Sequence, residues 1–343
     1  MNKRTDLRTL VVTLAVFGVL AAILLAVAHR YWFERPEPVP SQPAVAQNTL
    51  APDINAGFWT TPPPEPAPAL EPSPEPTLEP TPEPAPKPTP EPTPRPEPRI
   101  TGGVLLDTYE DETVTLQLRQ FETGEGQTRV TYFTAEAIVS DMGRLASGFA
   151  KDTFGRNIQE KPSSMARRLG ALAAVNGDYY GFRDDGILIR NGILYRDEPA
   201  RDGMAFLADG RMTVYEETET SAEELLAMGA IHTFSFGPAL LRDGEAVPLA
   251  AHGISGLNPR TAAGMIAPGH FVFLVADGRL KGYSQGLSIR ELTEVFLELG
   301  CTEAYNLDGG GTSTLIWQNK LINRPQGRTA ERASSDILYI TGD

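Results

Sequence analysis

The chain has 343 residues, one cysteine and a formal net charge of −14. An acidic chain with no basic stripe argues against nucleic acid as a partner, and a single cysteine excludes an intramolecular disulfide. Because 23 of the 30 prolines lie between positions 36 and 98, composition overrules a domain count from length, and one substantial core is expected after residue 100.

Lys3, Arg4 and Arg8 precede an uncharged apolar run at residues 10–28, LVVTLAVFGVLAAILLAVA. That run has the ~20 residues a bilayer-crossing helix needs. Tyr31 and Trp32 follow at interfacial depth, with the positive charge on the N-terminal side. A cleaved signal peptide is the rival reading. The run is longer than an ordinary h-region, and no small-x-small site followed by polar sequence stands after it. Residues 1–9 are therefore read as a cytoplasmic tail, residues 10–28 as an uncleaved single-pass membrane anchor, and the rest as extracytoplasmic. Residues 29–99 form a Pro-rich linker, densest from position 62 in PEPAPALEPSPEP and its continuation. Proline at every second position forbids helix and sheet and favours extended polyproline II. At ~3.1 Å per residue the densest part would reach on the order of 100 Å. It reads as a spacer, not an SH3-type ligand, able to lift a domain into a surrounding polymer layer.

The globular part is expected from residue 100 to 343. Residues 114–121 and 130–139 read as strands with a glycine-rich turn at 122–127. Residues 163–173 read as a short helix leading into LAAVNGDYYG at 172–181. Short strands follow around 187–189, 193–195, 204–207 and 212–214. Two capping boxes announce helices, Ser221 with Glu224 and Ser288 with Glu291. In the second, Ile289, Leu292, Val295, Phe296 and Leu299 share one face, and Gly300 is a natural stop. HFVFLVADG at 270–278 reads as a central strand buried on both faces. CTEAYNL at 301–307 and TSTLIW at 312–317 read as further strands, with Cys301 as core filler. Strands and helices without strict alternation predict an α+β fold, a mixed β-sheet core with a few packed helices.

Between those last strands lies NLDGGGT. A nucleotide phosphate loop is excluded, because no lysine follows the glycines and the next element is β-branched and aromatic. A hairpin turn needs only Asp-Gly. The third glycine makes sense where backbone passes close to a ligand and offers N–H groups to an anion or a sugar hydroxyl. Three other stretches place polar groups at apolar strand ends: Asn176, Gly177 and Asp178 before two tyrosines, Arg260 among small residues in NPRTAAG, and Asp277 in LVADGR. Each has a plainer reading as a turn or an ion pair. Together they gather Asp178, Asp277, Asp308 and Arg260 at strand tips. His232 and His252 are further acid–base candidates, although a lone loop histidine is commonly a surface residue. No HxH, HxxxH or EF-hand spacing supports a metal, so no cofactor is implied, while three converging aspartates would leave room for a divalent cation.

VNGDYY, NPRTAAG, LVADGR, GLSIRELTEVFLELG and NLDGGGTSTL, in this order, resemble the phosphodiester glycosidase family over residues 101–341. That family includes N-acetylglucosamine-1-phosphodiester alpha-N-acetylglucosaminidases and bacterial exopolysaccharide proteins. The resemblance implies cleavage of the bond between an anomeric carbon and a phosphodiester oxygen. It implies Arg260 as the cation near phosphate, assisted by backbone N–H groups of Gly309, Gly310 and Gly311 and by Ser313. Asp308 would be nucleophile or base, with Asp277 or Asp178 as its partner, and Asn176, Gly177 and Asn306 would bind sugar or orient the carboxylates. The expectation is a membrane-anchored glycosidase acting on sugar-1-phosphodiesters of cell-envelope or exopolysaccharide glycans. The alternative is a non-catalytic glycan-binding or assembly module.

Overall fold

The computed structural model describes residues 96–248, 256–325 and 331–342. The expected membrane span, most of the linker and His252 lie outside these residues. The described chain opens with an antiparallel meander, β1 (Val104–Glu110), β2 (Val114–Thr123) and β3 (Val130–Val139). It continues through β4 (Leu145–Phe149), α1 (Pro162–Arg168) and β5 (Ala171–Asn176). A local group follows: β6 (Gly186–Arg190), β7 (Ile193–Glu198), β8 (Asp202–Leu207), β9 (Met212–Glu216), α2 (Ala222–Ala227) and β10 (Ala230–Phe234). Then come β11 (Ala239–Arg242), β12 (Glu245–Ala246), β13 (Arg260–Ala267), β14 (His270–Ala276), α3 (Ile289–Glu298) and β15 (Glu303–Asn306). The chain closes with β16 (Leu315–Trp317), β17 (Lys320–Leu321) and β18 (Asp336–Thr341).

These strands form three antiparallel sheets, ordered β1-β2-β3-β14-β13-β15-β11-β12, β7-β6-β10-β8-β9 and β17-β16-β5-β18-β4. Their inner faces share one apolar core. Phe133, Phe271 and Tyr305 come from the first sheet, Phe206 and Phe234 from the second, and Val175, Leu315 and Leu338 from the third. Each sheet then has an outer face that needs cover, and each helix supplies it. Ile289, Leu292 and Phe296 of α3 pack on Ala262, Val272 and Leu274 of the first sheet. Ala222 and Leu225 of α2 cover Ile187 and Ala205 of the second, and Met165 and Ala166 of α1 cover Ala174 and Ile337 of the third. The α+β expectation holds, in a mostly β form. Strand β14 is buried at all seven positions, as the continuous apolar run requires, and lies between β3 and β13.

Two local expectations are corrected. The helix expected at 163–173 ends at Arg168, because Ala171–Asn176 is claimed by pairing with β16 and β18. TSTLIW is strand only at Leu315–Trp317; Gly310–Thr312 forms a 3₁₀ turn that carries the chain from the first sheet to the third. At the other end of the first sheet, the amides of Arg99 and Ile100 donate to the carboxylate of Glu136, at 2.6 and 3.1 Å. The His270 ring nitrogen Nε2 lies 2.6 Å from the same group.

Candidate active site

Four strand ends converge on one side of the molecule: the C-terminal ends of β5 and β15 and the N-terminal ends of β13 and β18. The Asn176 side chain ties them together. Its Oδ1 accepts from the Thr261 hydroxyl at 2.7 Å and from the Thr314 amide at 3.1 Å. Its Nδ2 donates to the carbonyls of Asp308, 2.7 Å, and Gly177, 3.1 Å. With its amide so committed, Asn176 orients the loops instead of meeting a sugar. The Asp308 amide donates to the Gly177 carbonyl at 3.3 Å, so the Asn-Gly-Asp and Asp-Gly-Gly-Gly segments lie against each other.

Asp178 and Asp308 line the same cavity, about 210 Å³ in volume, with Tyr179, Phe182, Thr312, Arg332 and Ser335 among its walls. Asp308 Oδ1 accepts from the Gly309 amide at 2.9 Å, and Oδ2 lies 2.5 Å from the Thr312 hydroxyl. The Arg332 guanidinium, 55 % exposed, donates to that hydroxyl at 2.8 Å and lies 3.7 Å from Asp308 Oδ2. Burial pushes the Asp308 carboxyl above its ordinary range, against the Thr312 hydroxyl, the Arg332 charge and the Gly309 amide. Asp178 accepts from the amides of Tyr180 and Ser235, both at 2.9 Å. Tyr179 and Phe182 stack at 4.5 Å and form an aromatic wall. The Arg183 guanidinium lies over the rings of Tyr179 and Phe236 at 5.5 and 4.9 Å.

The other expected residues lie elsewhere. Asp277 is fully buried and its carboxylate is taken up internally. Oδ1 accepts from Asn323 Nδ2 and the Arg324 amide, both 2.9 Å, and Oδ2 from the Tyr283 hydroxyl at 2.9 Å. Burial raises its pKa too, but it anchors the segment after β17 and does not line the cavity. The backbone of Arg260 does reach the glycine run: a Cβ on Gly309 would stand 3.8 Å from Arg260 Cα and 2.9 Å from the Pro259 carbonyl. Its guanidinium turns away, donating to the carbonyls of Leu287 at 3.0 Å and Gly256 at 2.9 Å. Burial, then the neighbouring Arg279 charge, lowers its pKa. Arg279 borders Gly310, its Nη1 3.4 Å from where a Cβ would be.

Two of the glycine N–H groups expected to face an anion are taken. Gly309 donates to Asp308 and Gly310 to the Pro259 carbonyl at 2.9 Å. Gly311 is buried within the turn. Ser313 is fully buried and its neighbour Thr312 reaches the cavity in its place. Asn306 is 1 % exposed and donates to the Gly237 carbonyl at 2.7 Å. His232 belongs to the core: Nε2 lies 3.1 Å from the Leu145 carbonyl, and burial pushes its pKa down to about 3. Among the described residues no three His, Cys, Asp or Glu side chains gather as a metal-ligand set. Thr312 and Arg332 were missed in the sequence. Thr312 follows the glycines directly and could have been found; Arg332, in AERASSD, carries no local pattern.

Two acidic residues and an arginine thus line one small cavity at the tips of sheet strands. The chain belongs to the phosphodiester glycosidase family, whose model matches residues 169–341. It is 33 % identical over 233 residues to the SPbeta prophage-derived uncharacterized protein YomE of Bacillus subtilis, covering 62 % of this chain and 36 % of that protein. It is 24 % identical over 172 residues to the bovine N-acetylglucosamine-1-phosphodiester alpha-N-acetylglucosaminidase, covering 47 % of this chain and 28 % of that enzyme. The chain thus spans about a third of the length of these curated relatives. The fold is shared with the catalytic domain of the zebrafish N-acetylglucosamine-1-phosphodiester alpha-N-acetylglucosaminidase, solved auto-inhibited by its pro-peptide. That likeness has a TM-score of 0.56 at 19 % identity and covers 70 % of this chain and 89 % of that one.

Proposed function

We propose that the chain hydrolyses the bond between a sugar's anomeric carbon and a phosphodiester oxygen, releasing free sugar and a phosphomonoester. One observation carries this reading. In a chain of this family, Asp308 and Asp178 both line one cavity, with the Arg332 guanidinium 3.7 Å from the Asp308 carboxylate. A phosphate already leaves readily, so the transition state needs a cation at the departing oxygens and a carboxylate near the developing oxocarbenium. Arg332 takes the phosphate, and the Arg279 guanidinium beside Gly310 adds a second cation near the glycine run. Asp308 serves the anomeric centre and Asp178 is the second carboxylate. Water adds to the anomeric carbon as its bond to the phosphate oxygen breaks, and its proton passes to a carboxylate. The stacked rings of Tyr179 and Phe182 offer an apolar surface to the sugar.

The N-acetylglucosamine-1-phosphodiester in the bovine relative's name suggests the first probe. The apolar run at 10–28 and the Pro-rich linker support an anchored protein working outside the cytoplasm on cell-envelope or exopolysaccharide glycans. The test is release of reducing sugar from an alpha-GlcNAc-1-phospho-alkyl substrate by the purified chain. Turnover is expected, reduced by about 10³-fold in Asp308→Asn. Binding of that substrate without turnover by the wild-type chain overturns the enzyme reading in favour of a glycan-binding module.

A further inference from the structure

Arg190 ends β6 and is only 1 % exposed. A guanidinium is held so deep only where its donors meet acceptors. Nη2 lies 2.7 Å from Asp336 Oδ2 and 3.4 Å from Asp178 Oδ2. Nη1 donates to the carbonyls of Ile189, at 3.1 Å, and Thr233. The Phe234 ring lies beneath, its centre 4.1 Å from the guanidinium carbon. Acceptors on one edge and a ring on one face leave the planar fork a single orientation. Burial works against its charge, but Asp336 and Asp178 outweigh burial and raise its pKa.

Asp336, the first residue of β18, is fully buried. Its carboxylate fills the space a Gly177 side chain would need: a Cβ there would stand 2.3 Å from Asp336 Oδ1. The Gly177 amide donates to the Asp336 carbonyl at 3.1 Å, while the Gly177 carbonyl accepts from the Asp308 amide. One buried acid therefore touches the supports of both cavity aspartates, Asp178 through the shared arginine and Asp308 through Gly177.

We propose that Arg190 and Asp336, which line no part of the cavity, are positioning residues that hold Asp178 and the Asp308 loop in working geometry. This rests on the enzymatic reading above. An ordinary structural ion pair would join two groups; this cluster joins three, and the third belongs to Asp178, a residue that lines the cavity. The groups facing Asp336 are Asp178, Arg190, Asp308 and Tyr180. Burial first, then the Asp178 charge, pushes Asp336 up to about 8, with Arg190 acting against both and Asp308 adding to the rise. Its ionisation therefore changes the charge beside the shared arginine within the working pH range.

The test uses the full chain and the alkyl glycosyl phosphodiester. Arg190→Lys keeps a cation but loses the fork, and kcat is expected to fall about a hundred-fold with KM within about two-fold. Asp336→Asn, near in volume, is expected to move the alkaline limb of kcat against pH. Phe234→Leu removes the ring under the guanidinium and leaves every charge in place; kcat should fall several-fold at constant KM. Folded variants with wild-type kcat and pH profile overturn the proposal, and Phe234→Leu decides if the charged variants fail to fold. A readout independent of turnover is the ¹³C carboxyl resonance of Asp178 in aspartate-labelled chain, assigned with Asp178→Asn. It is expected to move in Asp336→Asn. An unmoved resonance overturns the proposal whatever the assay gives, whereas a silent wild-type assay with a moved resonance overturns the reaction alone.

Discussion

Asp277 and Asp308 occupy equivalent places in the text, each following an apolar strand and preceding glycine, and burial raises the pKa of both. Their surroundings separate them. Asp277 accepts bonds from Tyr283, Asn323 and Arg324 and lines no part of the cavity, while Asp308 shares a cavity wall with a half-exposed arginine. A carboxylate's chemistry is thus set by which of its lone pairs neighbours have already taken, and a raised pKa alone does not mark a working acid.

The sharpest way to break this comparison is to exchange the cation. Arg332→Ala removes the charge at the cavity mouth, and kcat/KM toward a glycosyl phosphodiester should fall about a hundred-fold with the melting temperature little changed. Equal loss in Arg260→Ala would move the phosphate to the other side of the glycine run. Asp277→Ala should do the reverse, leaving kcat per folded molecule within about three-fold but destabilising the chain by about 3 kcal/mol in urea unfolding, because buried donors lose their acceptor. A fall in kcat comparable to that of Asp308→Asn would erase the distinction.

Titration sharpens it further. Asp277, Asp308 and Asp336 all keep their protons to higher pH folded than unfolded, so the stability they contribute is full below about pH 4 and is lost as pH rises through their folded values, near 8 for Asp336. Buried His232 has the opposite sign. Its contribution is present above about pH 6.5 and is lost as pH falls toward about 3. Melting temperatures across pH 4 to 8 should therefore fall less toward alkali in Asp336→Asn than in the wild type. The smallest effect is expected for Gly310→Ala. At φ +67 a side chain costs about 1 kcal/mol and presses on Arg279, so activity should drop a few-fold with a slightly lowered melting temperature.

Much of the fold was legible because burial leaves a period in the text. The β14 run, the α3 face and both capping boxes are present as written. β1 was not legible: it is an exposed edge strand without alternation. In the site, Asp178 and Asp308 could be found as acids at strand ends. Arg332 and Asp336 could not, because their roles arise when β18 pairs with β5, far away in the chain. Arg190 left a trace, a charge at the end of the apolar run GILIR, where full burial demands an ionic partner.

The Glu136 carboxylate that grips the Arg99 and Ile100 amides acts as a mooring. Val272, its partner across β3 and β14, lies four residues from Ala276, the β14 residue that pairs with Arg260 beside the glycine run. Traction delivered ahead of Pro96 would be borne by that clasp and spread across neighbouring strands before it could disturb the acids. Hauling on the leading segment should leave the pocket's shape intact until the clasp gives way.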